Sequence, residues 1–596
     1  MADLVQDFLE RLRLTQGDAQ AQAVVSADFA LAVRETAGET KLRDAFDAAA
    51  VLRWFDVPRL AGVLAVSEAE AAEQFHALAF LPFVEPYPAT GARNVHEATR
   101  LGWRKRMTRE QPHRFKELSA RAAACLAENH APAGRIEWIY HLLSTDPETA
   151  SQELETLDRA WTGSAYPEHR QALALALAEL ETSSLLAGRA RVEVLLCVAE
   201  ASTSRDEMAG LRDIALTART LAEEFNHASG LARAWALTGD IEWTEGKLPK
   251  ARAAFGAYLR ISQQLAEQDP GNAGGQRDLA VAHSKLGDVW WSEGNLPEAH
   301  SAFDECLRIS RQLAAQDRSN AGGQRDLAVA HSKLGDIWQA EGNLPEAHSA
   351  FDECLRISRQ LAAQDPGNAG WQRDLAVAHC RLGDIWQAEG KHPEARDAFG
   401  EYLRISHQLA AQDPGNADWQ RNLAVAHSRL GERWLAERRL PEARAAFGQC
   451  LRISQQLAAQ SPDNTVWQRE LAVAQSKLGD IWMTEGKLPE ARAAFGEYLR
   501  ISQQLAAQDP GNAGWQRSLA VALAKLGNIE SRRGFLSDAV DLLAKAEEIF
   551  ARLVKLSPSN KDWQGDYKRS DYELAKARRE LATWNQASRS NWRHGR

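Results

Sequence analysis

The sequence predicts an all-α protein, most of which is an α-solenoid of antiparallel helical hairpins. Seven glycines from Gly239 to Gly527 recur at intervals of 48 residues, and the text around them repeats almost unchanged. Within each period the apolar residues are three or four positions apart, which is the spacing of a helix rather than a strand. Such periods are typical of repeat proteins, in which each unit packs only on its neighbours.

One period contains two helices separated by short breaks. The apolar spacing over 276–293 predicts the first, helix A. Gly294 and Asn295 interrupt the pattern, and Pro297 favours the first turn of a second, helix B. In most copies helix B ends at an Asp-Pro-Gly-Asn turn, as at 365–368, because proline stops one helix and asparagine caps the next. Each unit is therefore predicted to be one hairpin.

The repeated residues resemble the tetratricopeptide pattern. Leu286-Gly287, Trp290, Ala299 and Phe303 match its Leu-Gly pair, its aromatic residue and the Ala and Phe of its second helix, and the match recurs in register. Histidine replaces the family's first-helix Trp, and its closing Pro is missing from that place. The unit is about fourteen residues longer than the common form of roughly 34, so both helices should be longer. The resemblance implies a right-handed solenoid in which helix A lines the concave surface.

Close packing gives the repeated residues their expected roles. Gly287 and Ala299 are small where helices A and B cross, while Trp290 and Phe303 fill the space between neighbouring hairpins. The array is predicted to span 229–564. The segment 565–596, a helix and a basic tail, turns polar and is predicted to cap the array; its polar residues include Arg569, Asp571 and Lys576.

One face of helix A is the candidate site. Residues at offsets of 4, 7, 11 and 14 from its arginine form a stripe, with an arginine row, an acidic row and a variable outer row. The candidate partner-binding residues are Arg277, Asp288, Trp291, Arg325, Asp336, Gln339, Arg373, Asp384, Gln387, Arg421, Glu432, Leu435, Arg469, Asp480 and Met483. Two interpretations remain open: the charged rows clamp an extended peptide or helix, or they pair with one another between units. The variable row is where partner specificity is expected.

A histidine row also recurs, and a metal track along it is not expected. The row contains His283, His331, His379 and His427. Equivalent residues in neighbouring repeats are separated by a helix-packing distance of about 10 Å, whereas zinc ligands lie about 2.1 Å from one ion. We therefore predict no metal site and no cofactor.

The residues before the array have a different character. Segment 41–147 resembles the winged-helix region of signal-transduction ATPases of the STAND class, with Val95-His96-Glu97 at the place of a nucleotide-contacting Met-His-Asp motif. The resemblance implies a small, mostly helical winged-helix-like domain with His96 as a vestige of that motif. A helical segment, 1–40, precedes it, and irregular helical hairpins, 148–228, follow it.

No catalytic motif accompanies this resemblance. Gly246-Lys247, Gly390-Lys391 and Gly486-Lys487 lack both the following Ser or Thr and the earlier glycine of a phosphate-binding loop. Arg100 stands where a His96-Glu97 zinc motif would need its second histidine, and there is no G-x-S-x-G elbow. We expect no enzymatic activity. The resemblance implies that any ATPase or effector enzyme acts as a separate chain.

Composition limits compartment and partner class. The amino terminus shows no signal peptide, no apolar run reaches the length of a membrane span, and the cysteines form no C-x-x-C pair, which predicts a cytoplasmic protein. The net charge of −10 disfavours general nucleic-acid binding. One basic cluster in the winged-helix-like segment keeps a DNA-binding alternative open: Arg104, Lys105, Arg106, Arg109, Arg114 and Lys116. Segment 41–148 nevertheless has fourteen basic and fourteen acidic residues.

These observations predict a non-catalytic scaffold or adaptor that binds a protein or peptide in the groove of the array. The family resemblance adds the expectation of a bacterial signalling or defence assembly. The alternative is a DNA-binding regulator that uses the winged-helix-like segment, with the array as its sensor.

Overall fold

A computed structural model describes residues 2–87, 91–162, 167–182, 186–201, 208–558 and 560–594. In these ranges it contains 27 helices and one pair of short strands, and helices next to each other in sequence pack together, so the predicted all-α hairpin fold is confirmed. The chain divides into two compact units, one up to Ala330 and one from His331 onward. Each predicted segment includes residues outside the described ranges, and the segment boundaries stay predictions.

The first unit begins with seven helices and the strand pair. Their bounds are α1 Ala2–Leu14, α2 Ala19–Thr36, α3 Leu42–Val51, α4 Val57–Leu64, α5 Glu68–Ala79, β1 Val84–Pro86, β2 Arg93–Val95, α6 Glu97–Glu110 and α7 Pro112–Leu126. The strands are antiparallel, with Val84 opposite Val95. Their core is centred on Phe46 and Trp103, whose rings meet edge to face at 4.7 Å. The winged-helix assignment of this region stays a prediction.

Five irregular helices follow. They are α8 Pro132–Thr145, α9 Pro147–Thr162, α10 Pro167–Thr182, α11 Gly188–Ala201 and α12 Met208–Glu224. A buried ion network joins α9, α10 and α11 to the first array helix. Arg233 bonds Asp158, Glu193 and Glu200 at 2.6–3.0 Å, and Arg170 bonds Asp158 at 2.7 Å. Because these buried charges are paired, the network fixes how the irregular helices meet the array.

The array and the helix that follows it come next, and all of these helices except the first and the last contain 20 or 21 residues. They are α13 Ala228–Thr244, α14 Leu248–Gln268, α15 Ala273–Ser292, α16 Leu296–Gln316, α17 Ala321–Glu341, α18 Leu344–Gln364, α19 Ala369–Ala388, α20 His392–Gln412, α21 Ala417–Ala436, α22 Leu440–Gln460, α23 Thr465–Thr484, α24 Leu488–Gln508, α25 Ala513–Arg532, α26 Leu536–Leu556 and α27 Lys561–His594. The division between the two units falls within α17.

Local sequence explains where these helices begin and end. The Asn368 side chain accepts a hydrogen bond from the Trp371 N–H and caps α19, and equivalent asparagines cap α15, α21, α23 and α25. Helix α15 therefore begins three residues before the predicted start, because the cap precedes the first apolar residue. Gly294 has φ of +78° in the turn to helix B, a conformation that glycine adopts without strain.

The hairpin core depends on a small residue facing a large one. Phe303 is fully buried, and a Cβ added to Gly287 would lie 2.8 Å from its ring. The same pair recurs as Gly383 with Phe399, where the distance would be 2.6 Å. The tryptophans are partly buried and pack against these cores. Trp290, for example, is half-buried against a core cluster whose residues come from two neighbouring hairpins.

The last helix, α27, buries one narrow face on α26, where Leu574 and Ala577 lie in the core. Arg569, Asp571 and Lys576 are exposed. The helix therefore has an apolar face on α26 and a polar outer face, and its function as a cap stays a prediction.

Candidate binding surface

The helix-A stripe is a continuous, partly exposed row of side chains on each array helix A. On α19 it contains Arg373, Val377, Cys380, Asp384 and Gln387. Arg373 and Gln387 are exposed, Val377 is 37% exposed, and the two residues between are half-buried. The stripe therefore remains open to a partner along its length.

The acidic row of the stripe forms ion pairs with the next helix A. In the second unit Asp336 pairs with Arg381 at 3.2 Å, Asp384 with Arg429 at 3.5 Å, Glu432 with Lys477 at 2.6 Å and Asp480 with Lys525 at 2.6 Å. In the first unit Asp240 pairs with Lys285 at 2.6 Å. Burial raises the pKa of Asp384, although the Arg429 charge opposes the change. The acidic row thus has a structural function between repeats.

The arginine row makes a second set of pairs, each with the acid 49 positions later. Arg421 pairs with Glu470 at 2.5 Å and Arg517 with Asp566 at 2.7 Å, and in the first unit Arg277 pairs with Asp326 at 2.5 Å. In these cases the arginine row and the acidic row do not pair with each other. Each row pairs with residues outside the stripe on the next helix A. Each such pair is partly exposed and contributes roughly 0–1 kcal/mol.

Two arginines of the row depart from this rule. Asn422 stands where the acid for Arg373 would be, and Ser518 stands where the acid for Arg469 would be. Both arginines are exposed, and no carboxylate in the described part of the chain lies within ion-pair distance of either. Their charges are available to a ligand.

The variable outer row is partly structural. Trp291 is 36% exposed and Gln387 is exposed, whereas Leu435 and Met483 pack against the hairpin cores that contain Phe447 and Phe495. Gln339 is half-buried. The outer row therefore offers both polar and apolar contacts at its edge.

The histidine row faces the neighbouring B helices and is partly buried. Burial lowers the pKa of His283, His379 and His427, so these rings are held in the neutral form. No group of three or more metal-ligating side chains occurs among the described residues.

The winged-helix-like segment keeps few of its predicted functional residues available. His96 is exposed at the start of α6, and its backbone N–H donates to the Phe83 carbonyl at 2.8 Å. Part of the basic cluster is used for packing, while Lys105, Arg109 and Lys116 are exposed. Arg104 is buried, donates to the Val51 carbonyl at 2.6 Å and pairs with Glu179 at 3.3 Å.

Other members of the cluster are also neutralised. Arg106 pairs with Asp28 at 3.3 Å and stacks on Trp103, and Arg114 pairs with Glu117 at 3.3 Å. Arg109 pairs with the neighbouring Glu110. Because these arginines already have acidic partners, the structure gives the DNA-binding alternative no support.

Sequence reasoning missed the most unusual repeat, residues 417–460. Arg433 occupies the buried position held by Ile385 and Ile481 in the neighbouring repeats, and its Nε has no hydrogen-bond partner among the described residues. Arg438 adopts φ of +60° in the turn where its equivalents are glycines. Comparison of the repeats position by position would have found both residues.

The chain is similar to several solved structures at low identity, and no family model or curated protein matches its sequence. A Pyrococcus horikoshii STAND protein with a tetratricopeptide repeat sensor is 12% identical, with 98% of this chain and 71% of that chain covered and a TM-score of 0.49. BtubC from P. vanneervenii is 20% identical, with 44% and 93% covered and a TM-score of 0.35. The apo form of RapI is 13% identical, with 55% and 99% covered and a TM-score of 0.37. At these values none of them indicates a function for this chain.

The described helices were compared with the requirements of a membrane span. None combines the length and the apolar character that crossing a bilayer requires.

Proposed function

We propose that the chain is a non-catalytic interaction scaffold that binds a partner protein or peptide along the helix-A stripe of its second unit. The observation that carries the proposal is the exposure of apolar side chains in register on this face. Val377 and Val473 are 37% and 43% exposed at equivalent positions, two repeats apart. Each is flanked by a charged stripe residue, and a mixture of apolar and charged groups suits a binding surface.

The acids of the stripe also support the proposed scaffold function, because they are already paired. Asp384, Glu432 and Asp480 hold neighbouring repeats together, so the surface is preorganised before a partner arrives. A preorganised surface loses little conformational entropy on binding. The array thus supplies a rigid support, and the exposed stripe residues supply the contacts.

The partner class follows from the same features together with the sequence. We propose a protein partner in a bacterial signalling or defence assembly, with any ATPase or effector enzyme on a separate chain. That step rests on the likeness of segment 41–147 to the region after the nucleotide-binding core of STAND ATPases.

Capture of partners from the native host tests the proposal. The tagged chain is compared with a stripe variant, Arg373→Ala with Asp384→Ala and Arg421→Ala. The matched control, Arg404→Ala with Asp397→Ala and Arg452→Ala, removes the same charges from exposed helix-B positions. We expect a protein that the wild type and the control recover and the stripe variant loses, and the purified pair should bind directly with the same dependence.

Two results would argue against the scaffold. Recovery of nucleic acid whose binding is unaffected by the stripe substitutions would favour the DNA-binding alternative. Nucleotide or peptide hydrolysis that follows the purified chain stoichiometrically would contradict the non-catalytic assignment.

A further inference from the structure

Some arginines of the row have an acid 49 positions later and others do not, and this difference separates the paired arginines from the free ones. Wherever the residue 49 positions after the arginine is Asp or Glu, the described pairs close: Arg421 with Glu470 and Arg517 with Asp566 in the second unit. Asn422 and Ser518 remove the acid for Arg373 and Arg469. The row in this unit therefore alternates between a free and a paired arginine over four successive repeats.

The surroundings of the two free arginines supply no compensating charge. The titratable groups that interact with them include Tyr402 beside Arg373 and Tyr498 beside Arg469. Burial raises the pKa of Tyr402 and raises that of Tyr498 to about 12, so both phenols are neutral near pH 7. The stripe acids Asp384 and Asp480 lie three helical turns away and are paired with Arg429 and Lys525. Each free guanidinium thus offers its full set of donors to a ligand.

We infer that Arg373 and Arg469 anchor two carboxylates of one extended acidic peptide segment of the partner. This inference rests on the proposed function and specifies the chemistry of its ligand. The planar guanidinium matches a carboxylate with two parallel hydrogen bonds, which gives both affinity and orientation. Val377 and Val473 lie one helical turn from the two arginines on the same face, so the segment gains apolar contacts beside each ion pair.

The spacing of the arginines sets the spacing of the acids. Successive helices A exchange ion pairs, and a helix-packing distance of about 10 Å is expected between them. The two anchors are two repeats apart, which separates them by roughly 20 Å. An extended chain rises about 3.3 Å per residue, which makes this about six residues. Side chains six positions apart point to the same side of an extended segment, so both acids can face the stripe.

Peptide binding to the full chain tests the inference. The probes are fluorescein-labelled peptides of about ten residues, blocked at both ends, with two glutamates six positions apart and mixed Val, Thr and Ala between them. Comparison pools place the glutamates three apart or replace them with glutamine. We expect fluorescence anisotropy to show that the six-apart pool binds. The affinity of either comparison pool should be lower by roughly tenfold or more.

The decisive variants restore the missing acids without touching the arginines. Asn422→Asp and Ser518→Asp should close the ion pairs with Arg373 and Arg469, as Glu470 does with Arg421, and weaken binding by roughly tenfold each. Asn422→Ala and Ser518→Ala are the controls and should bind as the wild type does. Asn422→Asp should have no further effect when Arg373→Gln is already present.

Equal binding by the Asp and Ala variants, or no preference for the six-apart pool, would overturn the inference. Neither result touches the proposed function, which is judged by loss of the native partner in the stripe variant. If that partner is lost in the stripe variant but retained with Asn422→Asp and Ser518→Asp together, the stripe binds its partner without these carboxylate anchors.

Discussion

At the scale of single residues, the repeat 417–460 contains the two side chains that fit their positions least well. Arg438 has a left-handed backbone conformation that disfavours any residue with a Cβ. Arg433 is only 2% exposed at a position where its neighbours have isoleucine. Both arrangements cost free energy, so each residue should be replaceable with a gain in stability.

Replacing Arg438 by glycine should stabilise this repeat by up to about 1 kcal/mol, because the left-handed conformation then carries no steric cost. Hydrogen exchange of α21 and α22 measures this locally, which suits an array that does not unfold in one step. The reverse change, Gly390→Arg at the equivalent turn with φ of +75°, should destabilise its own hairpin. Faster exchange in Arg438→Gly would contradict the argument.

Arg433→Ile should also stabilise the repeat, by about 1–3 kcal/mol, since it removes a buried donor that lacks a partner and restores the apolar residue of neighbouring repeats. The midpoint of urea unfolding reports the change. Ile481→Arg at the equivalent position is the matched opposite and should lower the midpoint. A lower midpoint for Arg433→Ile would mean that Arg433 has a favourable contact that outweighs its burial.

At the scale of the helical hairpin, stability comes from the fit of one phenylalanine against one glycine. Phe399 is fully buried over Gly383, and Phe447 shares a core cluster with Ile481 of the next repeat. The ring therefore joins the two helices of its own hairpin to the hairpin that follows. In the last hairpin Leu543 takes this place over Gly527, which shows that the position accepts a smaller apolar side chain.

Phe399→Ala should cost about 3–5 kcal/mol, because it removes apolar contact and leaves a cavity beside Gly383. Phe399→Leu, which copies the last hairpin, should cost clearly less. Urea unfolding followed by circular dichroism, with hydrogen exchange of α19 and α20, separates the local loss from the global one. Equal losses for the two variants would show that the ring itself, rather than filled volume, is required.

At the scale of the whole molecule, the histidine row makes stability depend on pH. Burial lowers the pKa of His283, His379 and His427 in the folded chain, while in the unfolded chain these rings titrate near 6.5. The unfolded state therefore binds more protons as the pH falls. The stabilisation is present above about pH 6.5 and is lost as the pH falls through the folded-state pKa of each ring.

We expect the chain to unfold at a lower urea concentration at pH 5.5 than at pH 7.5. His379→Gln with His427→Gln should reduce this difference, and Gln475 at the equivalent position shows that glutamine is tolerated there. The comparison is made at constant ionic strength, because surface ion pairs also respond to salt. An unchanged pH difference in the double variant would exclude the histidine row as its source.

Much of this architecture could be predicted from the sequence because the same residues recur at the same packing positions in each repeat. The Gly287–Phe303 pair, the Pro297 helix start and the Asn368 cap all follow from local residue chemistry, and the structure shows each of them. The stripe positions followed from helical periodicity in the same way. The pairing state of each charge could not be predicted, since ion partners such as Arg421 and Glu470 lie 49 positions apart.

The sequence by itself determined the helical hairpin, its period and which residues share one face of each helix A, because these depend on spacing and on residues close in the chain. Only the tertiary structure decided which charged side chains remain available. It buried Arg104 against Glu179, 75 positions away, and left Arg373 exposed and without an acidic partner among the described residues. The reason is physical: an ion pair forms where folding brings two side chains within a few ångströms, and the separation of two residues along the chain does not show which of them become neighbours in space.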